Sequence, residues 1–173
     1  MSKEIFFGAG CFWCSEAAYS MIPGVVSTMP GYAGGTTPNP SYEQVCTGET
    51  GHAEVVRVEY DPARITLDAL LDIFVTIHDP TSLNRQGGDV GSQYRSIVLY
   101  TSPEDGKQVK AYLDRVQKEF KRPLVTEVKA LEAFYPAEEY HRQYFKQHPS
   151  ESYCRIVIAP KLKKVEKKAK TLA

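Results

Sequence analysis

A cysteine at position 11 follows Gly8-Ala9-Gly10 and stands where a β-prone run gives way to a helical pattern. A thiol at the start of a helix faces free backbone N–H groups and the positive end of the helix dipole, so the sequence predicts a lowered pKa at Cys11. Cys14 completes a Cys-x-x-Cys spacing compatible with a reversible disulfide across one helical turn. Between them lie Phe12 and Trp13, the only tryptophan of the chain. They can wall an apolar pocket beside the sulfur or simply pack in the core. Zinc is the competing reading of the pair. A structural zinc site needs a second pair of ligands, and Cys46 and Cys154 have no Cys or His near them at that spacing, so no metal is expected.

Elements to hold these residues can be read from pattern. Lys3 to Gly8 predicts a strand and Ser15 to Ile22 a helix ended by Pro23-Gly24. Val25 to Ala33 predicts a second strand, and residues 34–40 a turn-rich loop. In Ala53 to Tyr60, Glu54, Val56, Val58 and Tyr60 alternate with Val55, Arg57 and Glu59, as in a strand with two different faces. Leu67, Leu70, Leu71, Phe74 and Ile77 repeat at helical spacing behind Thr66. A long loop from Thr81 to Gln93 leads to a strand over Tyr94 to Tyr100. Ser102 then caps a helix whose stripe is Val109, Tyr112, Leu113, Val116 and Phe120. Leu124 to Val128 predicts a strand, Pro136 to Lys146 a helix, and the remainder coil. The irregular alternation predicts a mixed α/β, two-layer domain rather than a doubly wound parallel sheet. No GxxxxGK[ST], GxGxxG or HExxH is present, and nothing suggests a cofactor.

The bulk numbers agree with a single globular unit: 173 residues, 42% hydrophobic and 24% charged. Zero net charge conceals an asymmetry. Residues 161–173 carry six lysines and one glutamate, net +5, which leaves 1–160 at net −5. The sequence therefore predicts one catalytic domain over 1–160 and a basic, flexible, solvated tail over 161–173 with no assigned role in binding nucleic acid or membrane. The start lacks the length and cleavage site of a secretory signal, and no apolar run approaches the ~18 residues of a membrane helix. A cytoplasmic monomer is the expectation, in a compartment where cysteines serve chemistry more often than a structural framework.

Gly10-Cys11-Phe12-Trp13 resembles the active-site motif of A-type peptide methionine sulfoxide reductases. Further matches follow in the family's order: Gly31-Tyr32-Ala33-Gly34-Gly35, Pro38-Asn39-Pro40 with Tyr42, Val45-Cys46-Thr47-Gly48, Thr50-Gly51-His52-Ala53-Glu54, Tyr60-Asp61-Pro62, His78-Asp79-Pro80, Asp89 with Gly91-Ser92-Gln93-Tyr94-Arg95-Ser96, His141-Arg142-Gln143-Tyr144 and Tyr153-Cys154. The resemblance implies an α+β two-layer sandwich with a ferredoxin-like core, a mixed sheet, and neither metal nor organic cofactor. It implies Cys11 as the nucleophile that becomes a sulfenic acid. It makes Glu54 the acid facing the sulfoxide oxygen, Tyr42 and Tyr94 supporting donors, and Phe12 and Trp13 the pocket for the substrate methyl group. Asp89 and Tyr144 become polar neighbours of the same site. It also implies the S epimer of methionine sulfoxide, free or in proteins, as substrate in protein repair, with thioredoxin as reductant. A sulfoxide oxygen leaves only when its charge is neutralised, so a protonated Glu54 in an apolar pocket fits the chemistry. His52 is read as shaping the backbone before Glu54.

Many members of that family carry glycine where this chain has Cys14. Cys14 and Cys154 are thus both candidates for the resolving thiol, acting singly or in turn, while Cys46 reads as structural. Two rivals stand beside this reading. One is a general thioredoxin-like disulfide oxidoreductase, which Cys-x-x-Cys alone allows but which leaves Glu54 and the tyrosines unexplained. The other is a non-enzymatic zinc or protein-binding module with a basic tail.

Overall fold

The computed structural model describes residues 1–172. Its centre is a β-α-β-β-α-β unit: β1 (Lys3–Ala9), α1 (Phe12–Ser20), β2 (Val25–Ala33), then after a short α2 (Tyr42–Cys46), β3 (Ala53–Tyr60) and α3 (Leu67–Ile77). A two-residue hairpin, β4 (Arg85–Gln86) and β5 (Asp89–Val90), precedes the closing strand β6 (Ser96–Tyr100). The chain continues through α4 (Pro103–Val116), β7 (Glu127–Ala130), β8 (Phe134–Pro136), a one-turn α5 (Tyr144–Gln147), a π-helical turn at Cys154–Ile158 and α6 (Ala159–Leu172).

The main sheet runs β7-β6-β1-β3-β2-β8. Its four central strands pair antiparallel in the ferredoxin-like order, and β7 joins β6 in parallel, which makes the sheet mixed as expected. One face carries Ile5, Phe7, Val56, Val58, Tyr60 and Val98 against α1, α3, α4 and α6. The other buries Phe6, Val55, Ile97 and Leu99 under Leu131 and Phe134. The period-2 pattern of β3 therefore holds, and Glu54 lies on the helix-covered face in line with Val56 and Val58.

Local signals explain the long helices. Thr66 and Ser102 accept hydrogen bonds from Ala69 N and Asp105 N, capping α3 and α4. Phe120 does not extend the α4 stripe: the helix stops at Val116, a 3-10 turn follows, and Phe120 is only half-buried. The helix expected over 136–146 is also absent. Residues 134–136 add an edge strand to β2 instead, and only a 3-10 turn at Glu139–His141 and α5 are helical. The 81–93 loop contains the β4–β5 hairpin, and 92–94 form a 3-10 turn rather than the start of β6.

The coil expected beyond Lys146 is a helix over its last part. Leu162, Val165, Ala169 and Leu172 recur at helical spacing, Val165 is fully buried, and this face of α6 packs into the main core. The lysines occupy its outer face. No helix among the described residues is long and apolar enough to cross a membrane.

Candidate active site

Cys11 is the N-cap residue of α1. The turn that presents it depends on Gly10, whose φ of +91° lies in the left-handed region and whose pro-Cβ direction points 3.0 Å from Gln86. Glu54, 1% exposed, reaches the same helix end: its Oε1 accepts a hydrogen bond from Phe12 N at 3.1 Å, while Oε2 is buried without a partner. Burial, with a smaller push from Asp89, raises its pKa to about 8 against the Phe12 N–H, so the carboxyl is predominantly neutral at pH 7.

The expected lowering of the Cys11 pKa is not found. Burial pushes the thiol well up, and the charges of Glu54 and Cys14 add to this, whereas the Trp13 N–H and the Tyr153 hydroxyl pull the other way without prevailing. Desolvation of the site outweighs the end of a nine-residue helix. Cys11 rests as a thiol beside a neutral acid.

Tyr42 and Tyr94 are brought to this pair. Burial raises both phenols, and for each the charge of Glu54 is the next contribution, with Cys11 following for Tyr94. Both remain O–H donors at neutral pH. Tyr42 is fixed by its backbone N–H, which donates to Glu138 Oε2 at 2.9 Å, and Glu138 also accepts from the Tyr32 hydroxyl. A capping box between Ser41 and Gln44 starts the short helix that carries it.

The two aromatics of the turn part company. Phe12 is buried, its ring against Tyr32 and His141. Trp13 keeps an exposed edge; its ring stacks on Tyr144 with centroids 3.7 Å apart and planes 5° apart, and its Nε1 donates to His141 Nδ1 at 3.0 Å. The Tyr144 hydroxyl points away to Glu151, which pushes its pKa up to about 12. A salient tether, not foreseen from sequence, is Glu16 on α1: Oε1 accepts from Gln143 N at 2.6 Å and Oε2 from Thr28, clamping the loop that carries Tyr144 onto α1.

Asp89 enters through Tyr153, whose hydroxyl donates to Asp89 Oδ2 at 2.7 Å and also faces the sulfurs of Cys11 and Cys14. Tyr153 sits between acid and thiols, a position that follows from the fold and from no local signal. Behind it, Cys14 and Cys154 are both buried in one cluster with Ile158, edged by Trp13, Tyr153, Val157 and Leu162. Burial raises the Cys14 thiol to about 11. All four cysteines are free, and Cys46 is exposed near Tyr42.

His52 has both ring nitrogens engaged: Nδ1 accepts from Gly35 N at 3.0 Å and Nε2 donates to Thr37 O at 2.7 Å. It ties the 34–40 loop to the strand before Glu54. No group of three or more His, Cys, Asp or Glu side chains among the described residues is arranged to hold a metal ion.

Residues 3–172 match the family described as peptide methionine sulfoxide reductase. The peptide methionine sulfoxide reductase MsrA of Nautilia profundicola is 55% identical over 95% of this chain and 94% of its own. The reduced form of Mxr1 from Saccharomyces cerevisiae superposes with a TM-score of 0.84 at 38% identity, covering 88% of this chain and 89% of that one. Mxr1 in complex with Trx2 gives a TM-score of 0.60 at 27% identity, over 83% and 84% of the two chains.

Proposed function

The chain belongs to the peptide methionine sulfoxide reductase family and has its activity, and we propose that it reduces the S epimer, free and in proteins, through Cys11. The observation that carries this reading is the buried, neutral Glu54 carboxyl fastened to the helix end that presents Cys11.

In the proposed reaction the Cys11 sulfur bonds to the sulfoxide sulfur while Glu54 gives its proton to the oxygen, aided by the Tyr42 and Tyr94 hydroxyls. The oxygen transfers to Cys11, methionine leaves, and the proton lost by the thiol restores Glu54. A Cys11 thiol and a sulfoxide thus become a Cys11 sulfenic acid and a thioether. Trp13, held by Tyr144 and His141, forms the wall for the substrate methyl group, with Phe12 supporting it from beneath.

The next step is attack by Cys14 on the Cys11 sulfenic acid: a thiol and a sulfenic acid give a disulfide and water. Cys14 adjoins both Cys11 and Cys154, which supports the order Cys11, Cys14, Cys154 for passing on the disulfide. Thioredoxin is the proposed reductant, a reading supported by the solved complex of Mxr1 with Trx2. Action in the cytoplasm in protein repair, by a single domain into whose core α6 packs, completes the proposal.

The test supplies separated S and R epimers of a blocked methionine sulfoxide with dithiothreitol to the protein and to Cys11→Ser. Methionine from the S epimer alone, lost in the variant, is expected. Equal conversion of both epimers contradicts the assignment.

A further inference from the structure

Gln86 is the one buried residue of the segment 81–90, flanked by exposed Arg85, Gly87 and Gly88. Its carboxamide is taken up by the backbone of a single residue: Oε1 accepts from Asp79 N at 2.9 Å and Nε2 donates to Asp79 O at 2.7 Å. Both ends of a buried amide are thereby satisfied, in the pattern by which one strand residue pairs with its neighbour. Among the described residues, the only other hydrogen bond tying the β4–β5 hairpin, residues 85–90, to the rest of the chain is the Tyr153 hydroxyl on Asp89. The stem of Gln86 faces Gly10: a Cβ there would fall 3.0 Å from both Cβ and Cγ of Gln86, so this side chain is seated directly against the turn that presents Cys11. A ring of contacts closes at that point. Gly10 follows Ala9, and Ala9 pairs with Ser96 across β1 and β6. Ser96 Oγ and His78 Nε2 are hydrogen-bonded at 2.8 Å, His78 caps the end of α3, and the next residue, Asp79, is held by Gln86.

We propose that Gln86 is a positioning residue for the reduction step, its stem supporting the Gly10–Cys11 turn from a seat that the Asp79 backbone fixes. This rests on the reading that Cys11 is the nucleophile. Gly10, with its φ of +91° and no side chain, permits the close approach and leaves the turn nothing of its own to be held by. Glu54 fixes the helix side of the turn through Phe12 N, and Gln86 fixes the strand side. The Cys11 sulfur is thus held against the acid that protonates the sulfoxide oxygen, in a step where a misplacement of about 1 Å slows reaction by up to about 10²-fold. The hairpin register also sets Gln86 opposite Asp89, so the same seat carries the carboxylate to which Tyr153 donates.

The experiment measures single-turnover methionine formation over a range of sulfoxide concentrations, from pH 5 to 7.5, for wild type, Gln86→Leu and Gln86→Glu, with folding checked by urea titration. Gln86→Leu keeps an apolar stem and loses both bonds to Asp79. Its maximal rate is expected to fall by about tenfold, with the half-saturating sulfoxide concentration unchanged within about twofold, because the Trp13 wall is held by Tyr144 and His141 rather than by Gln86. Gln86→Glu is the conservative rescue. Protonated, the introduced carboxyl repeats both bonds; ionised, it turns an acceptor on Asp79 O, and burial favours the protonated form at the acid end of the range. The charged groups around it are Asp79, whose carboxylate is turned to Thr81 and Arg122, His78 at the end of α3, Asp89 across the hairpin, and Lys161 and Lys164 on the cavity that Gln86 edges. Its rate is expected within about twofold of wild type at pH 5, descending toward that of Gln86→Leu as the pH rises, below the range in which wild type declines. An undiminished rate in folded Gln86→Leu, or a Gln86→Glu that follows Gln86→Leu rather than wild type at pH 5, overturns the role. Methionine formed by Cys11→Ser, run in parallel, defeats the underlying reading of the nucleophile instead.

Discussion

Phe12 N donates to Glu54 Oε1 at 3.1 Å, so the acid on β3 is fastened to the first residue of the helix capped by Cys11. One hydrogen bond thereby fixes the distance between proton donor and nucleophile, and it draws on an N–H that a helix start leaves free. It also holds Oε1, leaving the unpartnered Oε2 as the oxygen able to carry and deliver a proton.

Glu54→Gln keeps a hydrogen-bond acceptor and donor but cannot give up a proton. Single-turnover methionine formation should fall by about 10² to 10³-fold, within the usual range for losing a general acid. Stopped-flow or quenched measurement of methionine checks this, and a loss under threefold contradicts the role.

The rate of methionine formation should decline as pH rises through about 8, because the raised Glu54 pKa keeps its acid form only below that value. Stability follows the same sign. The folded protein holds a proton that the unfolded chain releases near 4.5, so stability is present at low pH and is lost between about 4.5 and 8, by up to about 5 kcal/mol. Urea titrations of wild type and Glu54→Gln across that window should differ in slope, with the variant the flatter.

Glu16→Ala should loosen the loop 142–148 without touching the thiols. Two buried acceptors are lost from Gln143 N and Thr28, at a cost of about 1–3 kcal/mol. Because that loop carries Tyr144 onto Trp13, the expected signature is a raised KM with a smaller change in kcat, together with faster proteolysis near residue 143. Unaltered KM argues that the stack is independent of the clamp.

Gly10→Ala forces φ of +91° on a residue with a Cβ that would lie 3.0 Å from Gln86. A destabilisation of about 1–2 kcal/mol is expected from thermal or urea unfolding, with a displaced Cys11 and lower activity.

What the sequence made legible was local. The alternation of β3, the Thr66 and Ser102 caps and the apolar stripes of α3 and α4 specify those elements through neighbours a few residues away. Residues 134–136 became an edge strand for a non-local reason: Gly31 has no side chain, and a Cβ there would fall 2.4 Å from the Phe134 ring, so β8 approaches β2 only because position 31 is glycine. In α6 the lysines mask an apolar stripe, Leu162, Val165, Ala169 and Leu172, whose helical period is diluted by the charges between its members. Within the site, Cys11, Glu54 and the two tyrosines came from the family resemblance. Tyr153 between the thiols and Asp89, and the Glu16 clamp, depend on side chains meeting across the fold. The sign of the Cys11 shift is not legible in Gly-Ala-Gly-Cys, because desolvation by folded neighbours leaves no local signature.

The most direct test of the central claim follows the oxygen atom. Methionine sulfoxide labelled with heavy oxygen is given in one equivalent to a Cys14→Ser, Cys154→Ser double variant, and the peptides are read by mass spectrometry. The account predicts one labelled oxygen on the Cys11 peptide for each methionine formed. Methionine released with the label on another residue, or with no sulfenic acid at Cys11, would contradict it.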